Sequence, residues 1–458
     1  MPTDTTVPGV YIEEDASPAM SVSAGATAVP LFVARYNPLK SELASVITRI
    51  GSWLDYTTLF DSNVPSSATI TVTSKEVSSP PESEETKKAS STAEARGGEP
   101  TKHYTYQIND IELVDPTSSV ALRLYFQNGG GPCYLYPLEK SDDNDKLAAL
   151  PGLIDEVGAI TLLACPDPDE DYRTAVYGAL AASLGQHKGY FLLADSVNGN
   201  APSAVSGSAQ VAVYYPNVEV PHPRELDDAE VTIDGYLDDE GKAVTTLTAL
   251  RATNADFAGE IDKALADKRS APLSLPPSAL MAGVYSKTDG ERGVWKAPAN
   301  VVLNGVSNVS VRVTNKQQAE LNPKGINVIR HFSDRGLVVW GSRTQKDDDD
   351  WRYIPVRRLF DAAERDIKKA LQPMMFEPNS QPTWKRVQAA IDNYLHRLWQ
   401  QGALAGNKAE EAYFVRVDKG ITMTQDEINQ GQMIIQVGMA AVRPAEFIIL
   451  KFTQDMSQ

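Results

Sequence analysis

The sequence predicts a multidomain chain of mixed α/β and α+β architecture, on three observations. Its 458 residues exceed the roughly 250–300 at which one hydrophobic core stops growing, so two or three cores are expected. Residues 104–215 alternate strand-like apolar runs with a helical pattern, as a layer with parallel strand pairs does. The C-terminal third holds two amphipathic helical stretches, and strand-like stretches follow them.

Residues 1–24 carry one short extended piece, Val10-Tyr11-Ile12, behind Pro8-Gly9. That is too little apolar material to anchor itself, so the segment reads as an N-terminal arm. The dense run from Ala28 to Tyr36 is the first buried strand. Residues 62–103 read as an exposed low-complexity insertion. From Ser78 to Thr101 there is no aromatic and no aliphatic beyond Ala, so burial cannot offset the entropy of ordering that stretch.

Residues 104–216 form the expected outer α/β domain. Val120–Phe126 reads as a strand entering a turn at Gly129-Gly130-Gly131, followed by Cys133–Tyr136. Ile160–Cys165 and Tyr190–Asp195 read as buried strands, with a helix from Tyr172 to Leu184 between them. Residues 217–272 contain Leu226-Asp227-Asp228 and Leu237-Asp238-Asp239-Glu240-Gly241 and read as an acidic, β-rich outer insertion.

The C-terminal part is better patterned. Leu359, Phe360, Ala363, Ile367, Ala370 and Leu371 share one helical face, with Asp361/Arg365 and Glu364/Lys368 as i,i+4 pairs. Pro373 stops that helix. Thr383 is the expected cap of a second helix that turns Trp384, Val387, Ile391, Tyr394, Leu395 and Leu398 inward and ends at Gly402. Met433–Val442 and Glu446–Phe452 read as strands. The second is apolar on both faces, hence paired or covered, and residues 443–458 read as a C-terminal arm.

Composition narrows the function. A net charge of −17 argues against nucleic-acid binding, which needs a basic face. No run approaches the ~18–20 apolar residues that span a bilayer. Met1-Pro2-Thr3-Asp4 lacks the features of a signal peptide, which implies synthesis in the bacterial cytoplasm. Cys133 and Cys165 are too few for a disulfide framework and sit in apolar surroundings, as buried thiols do.

Catalytic and cofactor motifs fail on inspection. Gly241-Lys242 is followed by Ala243, and Tyr236 stands where a P-loop begins. Asp167, Asp169 and Asp171 open with Ca²⁺-loop spacing, but Tyr172 and Gly178 occupy the positions that need Gly and Glu. His103, His187, His222, His331 and His396 have no metal-ligand spacing, and no G-x-S-x-G elbow is present. The reading is a non-enzymatic protein without cofactor or metal.

Several stretches, taken in order, resemble the contractile tail sheath family. They begin with Pro8-Gly9-Val10-Tyr11-Ile12-Glu13-Glu14 and Tyr125-Phe126-Gln127-Asn128-Gly129-Gly130. The most distinctive is Asp289-Gly290-Glu291-Arg292-Gly293-Val294-Trp295-Lys296-Ala297-Pro298-Ala299-Asn300. Leu321-Asn322-Pro323-Lys324-Gly325, Val339-Trp340-Gly341-Ser342-Arg343-Thr344, Trp351–Arg358 and Pro444-Ala445-Glu446-Phe447-Ile448 follow. The resemblance implies hexameric rings stacked helically around an inner tube, with a discontinuous tube-facing inner domain of residues 25–61 together with 273–442, an inserted outer domain, and arms that add strands to neighbouring subunits. It implies contraction triggered at a baseplate, with baseplate, terminator or cap proteins and paralogous sheath subunits as partners, and no contact with nucleic acid or membrane. The particle is a virion or a released extracellular one; the insertions favour an extracellular injection particle. Another virion shell or a surface-layer protein is the alternative.

Within that reading Val10, Tyr11, Ile12, Phe447, Ile449 and Leu450 are the expected inter-subunit arm residues. Lys385, Arg386 and Arg397, opposite the apolar stripe of their helix, are the expected tube-binding residues. Because no large apolar residue lies in 78–101, deleting that stretch should leave solubility intact and the melting temperature within a few degrees of the parent. Calorimetry on the deletion variant checks this; an insoluble product or a larger fall counts against it.

Overall fold

The computed structural model describes residues 21–77, 103–185 and 188–447. Its centre is an eight-stranded sheet in the order Gly336–Trp340, Ile326–Phe332, Val211–Tyr215, Phe191–Asp195, Leu162–Ala164, Pro30–Ala34, Cys133–Pro137 and Thr48–Ile50. Pairing is parallel except at the two edges. The inner strands are near-continuous apolar runs because both faces are covered. Alternation divides them: Phe32, Leu162 and Leu193 belong to one core, and Leu31, Val33, Leu163 and Leu192 to the other. The helices Thr117–Gln127 and Ser278–Arg292 pack in the first core, Asn144–Val157 and Glu170–Ala181 in the second.

This sheet corrects the expected partition. It draws strands from 25–61, from 104–216 and from 273–442, so segments assigned to separate inner and outer domains share one pair of cores. Val120–Phe126 is not a strand but lies in the Thr117–Gln127 helix. A short apolar run fits either period, and here close helix packing decides. A Cβ on Gly283 of the facing helix would lie 2.4 Å from the Tyr125 carbonyl oxygen. Gly129, at φ +97°, ends that helix and does not close a strand turn.

The two supposed insertions also meet. Ser67–Val77 and His103–Val114 form a long hairpin, and Val231–Asp234 adds in parallel to its first strand. The helices Leu247–Thr253 and Ala255–Ser270 cover one face, burying Ile70, Val72, Ile233, Phe257, Ile261 and Leu265. Residues 217–272 are therefore mixed α and β, and their core is completed by a hairpin far away in sequence. Residues 78–102, which hold the low-complexity stretch, lie outside the described residues. One guanidinium gathers the four chain crossings at the neck of this domain. Arg224 bonds both carboxylate oxygens of Asp115 (2.8–3.0 Å), which also accepts from Ser66, and donates to the carbonyls of Lys268 and Ala271.

A C-terminal unit has its own core, in which Leu359, Val387, Ile391, Tyr394, Leu395 and Leu398 meet. They come from the helices Ile354–Leu371 and Gln381–Gln400. Thr383 is not the cap: it is buried within the first turn, and Ser380 precedes the helix. Asp361 is held by Arg357 (2.8 Å) and not by Arg365, which donates to the Gly189 carbonyl. The strand expected over Met433–Val442 is confined to Gln436–Met439, antiparallel to Tyr413–Arg416. Glu446 and Phe447 have no regular structure. Both cysteines are free and buried, and burial pushes their thiols up.

Asp195 joins the central sheet to its covering helix. Its carboxylate accepts from the Ser278 backbone N–H (2.9 Å) and the Tyr177 hydroxyl (3.2 Å). Burial raises its pKa to about 6, against the opposing pull of Arg173, Ser278 and Tyr177. The folded value lies above the ordinary carboxyl value of 3.8. The charged group therefore costs stability fully above about pH 6 and not at all below about pH 4. Asp195→Asn, which keeps an acceptor toward Ser278, should be more stable than the parent at neutral pH, with the advantage shrinking toward pH 4. Melting temperatures across that range test this, and parallel curves for the two proteins would exclude it.

Candidate assembly interface

The N-terminal arm enters the described chain at Ser21 and is fastened at once. Val22 is buried in the C-terminal core, and its carbonyl accepts from Arg397. The Gly25 N–H donates to Asp366 (3.0 Å), whose other oxygen accepts from Tyr394 (2.8 Å). The Thr27 hydroxyl donates to Asp289 and its carbonyl accepts from Arg358 (2.9 Å). Ser21–Ala26 has the small-residue composition of a free linker, yet side chains from two helices pin it, and a third helix holds Thr27.

The last of these contacts belongs to a buried ion pair. Arg358 and Asp289 meet at 2.6 Å with side chains 3% and 5% exposed. Burial alone would lower the Arg358 pKa, but the Asp289 carboxylate outweighs it and holds the guanidinium firmly charged. Arg358 also lies over the Tyr285 ring (4.6 Å), and the Tyr285 hydroxyl bonds that of Tyr214 (2.8 Å). Asp289 sits near the end of the Ser278–Arg292 helix, which stops at Gly293, φ +89°. A Cβ there would strike the Trp295 ring at 2.5 Å. The Asp289–Trp295 stretch thus ends a helix and presents a buried acid.

The C-terminal arm has a matching root. Glu446 accepts from Arg343 (2.6 Å), Asn322 (3.0 Å) and Tyr353 (3.3 Å). Burial would raise its carboxyl, but these donors and the Arg343 charge hold it below the ordinary value. Phe447, beside it, is 71% exposed. The other expected arm residues, Val10, Tyr11, Ile12, Ile449 and Leu450, lie outside the described residues.

Lys385, Arg386 and Arg397 are all exposed on the Gln381–Gln400 helix, opposite the buried stripe. Lys385 donates to Gln388 (3.2 Å), and Arg386 faces Glu377 at 3.8 Å. Arg397 differs from them in holding the arm root. The partners of Thr27, Gly25 and Glu446 escaped sequence reasoning because each pair is more than ninety residues apart.

Between the Ile354–Leu371 helix and the Gln436–Met439 strand lies an open apolar groove of about 600 Å³. Phe360, Ile367, Leu371, Met375, Val437 and Met439 line it. Among the described residues this strand has one ladder partner, Tyr413–Arg416. A two-stranded sheet is marginal alone, and an unpaired edge beside apolar surface is a template for another strand. Exposed large apolar residues cluster in the same unit: Met375, Phe376, Phe414, Ile421 and Ile434. Among the described residues no group of three or more His, Cys, Asp or Glu is placed to hold a metal ion. No described helix is long and apolar enough to cross a membrane.

Pinned arm roots beside an unfinished sheet define a subunit built for a polymer, and similarity to known proteins agrees. Residues 223–345 match the phage tail sheath protein central domain and residues 346–455 the phage tail sheath C-terminal domain. The chain is similar to the anti-feeding prophage helical sheath in its contracted state, with 72% identity, 99% of this chain and 100% of that one covered, and a TM-score of 0.73. It also resembles the contracted sheath complex of PVC, an extracellular contractile injection system, at 38% identity, 99% of each chain and a TM-score of 0.66. A putative prophage major tail sheath protein of Pseudomonas aeruginosa is 24% identical over 181 residues, 39% of this chain and 45% of that protein. The tail sheath protein of Vibrio phage KVP40 is 28% identical over 134 residues, 28% of this chain and 20% of that protein. The match thus spans under half the length of these two curated relatives. The chain belongs to the contractile tail sheath family and is a structural sheath subunit.

Arg358→Met should destabilise the fold by about 3–5 kcal/mol, because Asp289 is left buried and unpaired. Adding Asp289→Leu should recover much of that loss. Arg386→Met, which removes only an exposed pair, should cost less than about 1 kcal/mol. Urea unfolding of the three variants checks the order, and an Arg358→Met chain as stable as the parent would refute the assigned role.

Proposed function

We propose that the chain polymerises as stacked hexameric rings around an inner tube and contracts to drive that tube through a target envelope. The observation that carries this reading is the unfinished C-terminal sheet beside two firmly rooted arms. Residues 9–20 of one copy, which stop short of the Val22 held in its own core, and a segment within 443–454 of another add as strands to the Tyr413–Arg416/Gln436–Met439 pair of a neighbour. Backbone bonds between copies stay fixed while rings rotate, because strand addition is directional and indifferent to most side chains. A heterologous contact that does not close yields a helix of rings. Contraction is then release from a kinetically trapped extended state, triggered at a baseplate, without nucleotide or catalysis.

Lys385 and Arg386, with Arg397 beside the arm root, hold acidic groups on the inner tube. The similar anti-feeding prophage and PVC chains come from a contracted helical sheath and a sheath complex, and a further 72% identical chain comes from a baseplate structure. These support self-assembly, a baseplate contact and residence in a phage-like or released extracellular particle. The terminator or cap and any paralogous sheath subunit complete the partners.

Removing residues 1–20 should leave a folded, soluble chain that forms no long tubes. Arg386→Glu with Arg397→Glu should leave the monomer folded but yield tubes that are empty or absent when inner tube protein is co-expressed. Electron micrographs decide both. Normal sheaths from the truncated chain would remove the arm role, filled sheaths from the reversed chain the tube role, and flat sheets or closed cages from the parent the sheath reading itself.

A further inference from the structure

Resting on the strand-addition reading above, the structure assigns a specific anchor to that contact. We propose that Phe376 closes over residues 10–14 of a second copy when they add at the free edge of Gln436–Met439, and that Lys368 and Lys369 receive Glu13 and Glu14.

Phe376 is 101% exposed, and its backbone lies at φ +72°. For a bulky residue this conformation is a true outlier, because Cβ crowds the following carbonyl. An exposed phenyl ring gains nothing in the isolated chain to offset that strain, and strain of this kind collects at binding sites. The loop that carries it is held and not loose. Glu377 faces Arg386 at 3.8 Å. Asn379 accepts from the Trp384 indole N–H (2.7 Å) and donates to the Gln432 carbonyl (2.8 Å). Phe376 follows Met375, which lines the groove between the Ile354–Leu371 helix and Gln436–Met439. The backbone that carries the ring therefore leaves an apolar slot bordered by an unpaired strand, and the ring itself is free to swing.

Length and charge select the occupant. The edge strand spans four residues, Gln436–Met439. The arm's extended run, Val10-Tyr11-Ile12, is bounded by Pro8-Gly9 before and Glu13-Glu14 after, so it matches that short edge. The apolar run at the other terminus extends over 446–452 and begins at the clamped Glu446. Side chains alternate along a strand, so Val10 and Ile12 enter the groove together while Tyr11 faces outward, where a rim aromatic meets it. Lys368 lines the groove and Lys369 follows it, both exposed, while the Glu364 that also lines it is paired with Arg357 at 3.1 Å. They offer charge to the two acids that end the run. From Ile12 to Ser21 the chain reaches at most about 30 Å, enough to leave its own pinned root for an adjacent subunit.

The assigned role separates monomer stability from assembly. Phe376→Gly relieves the left-handed backbone, so the monomer should melt no lower than the parent. The concentration needed for sheath assembly should rise by about 30-fold or more, as loss of an anchoring aromatic does. Phe376→Ala should raise it similarly, and Phe376→Leu much less. Assembly at the parent concentration by the glycine variant overturns the proposal, as does a monomer destabilised in step with assembly. A photoreactive phenylalanine at 376, in sheaths mixed with isotope-labelled copies, identifies the contact directly. Cross-links from the probe to residues 1–20 of the labelled copies support the assignment. Cross-links to the inner tube, to 448–458, or to the probe-bearing chain's own arm overturn it. Parent chains that form no sheath would instead refute the underlying assembly reading.

Discussion

The Arg358–Asp289 pair is the interaction on which the arrangement of the subunit depends. Taking two charges out of water is costly, and the pair repays little of that cost as net stability against an apolar replacement. What it supplies is position. Asp289 lies on a helix that covers the central sheet, Arg358 on the first helix of the C-terminal unit, and Thr27 at the arm root is bonded to both. The chain of contacts continues through Tyr285 to Tyr214 within the central sheet. Angle between units and point of arm exit are therefore set by one buried geometry, which cannot slide by small amounts without leaving a charge unpaired.

That rigidity sits beside an element left incomplete. The central sheet is buried on both faces, and its edge strand Thr48–Ile50 is only three residues long, too short to offer much of a template. The pair Tyr413–Arg416 and Gln436–Met439 is different: two strands, an open groove and a cluster of exposed Met, Phe and Ile. A polymer that must rearrange without falling apart needs this division. Stiff bodies keep their shape while bonds between bodies remain fixed and only the stretches leading to them bend. Residues 22–27 are pinned to the body of the subunit by Arg397, Asp366 and Arg358.

Much of the layout was legible because it is local. Apolar runs such as Leu31–Ala34 and Leu162–Ala164 announce strands covered on both faces, and the 3.6-residue spacing from Trp384 to Leu398 marks a buried helical stripe. Val120–Phe126 misled because seven apolar-rich residues suit either period, and only the close approach of Gly283 makes the helix favourable. The outer domain stayed hidden because neither half of it has a core: Ile70 and Val72 wait for Phe257 and Ile261, nearly two hundred residues on. The same separation concealed the arm roots. The Asp289-Gly290-Glu291-Arg292-Gly293 stretch was recognisable as a sheath-family signature, but nothing local says that its first acid binds Arg358. The arm residues and tube-binding cations rested on pattern and resemblance, and among the cations only Arg397 was found to have a second task.

The distribution of exposed apolar surface explains how a chain of net charge −17 can stack upon itself. In the outer domain the uncovered sheet face is polar, with Thr69, Thr71, Thr73, Gln107 and Asn109 exposed. Its exposed large apolar residues are confined to the two ends of the hairpin, Val77 and Val114. Its acids, Asp239 and Glu240 among them, are solvated. Such a surface gains little by burial and repels its own copies, which fits the outer position proposed for it. The C-terminal unit concentrates the apolar residues together with Lys368, Lys369, Lys385 and Arg386, so the attractive surface and the counter-charge lie on the same body. Under the proposed assembly, repulsion between the acidic domains and attraction between the C-terminal units would orient each copy. Arg224 fixes that domain to the central body by joining the four neck crossings through one guanidinium paired with the buried Asp115 carboxylate.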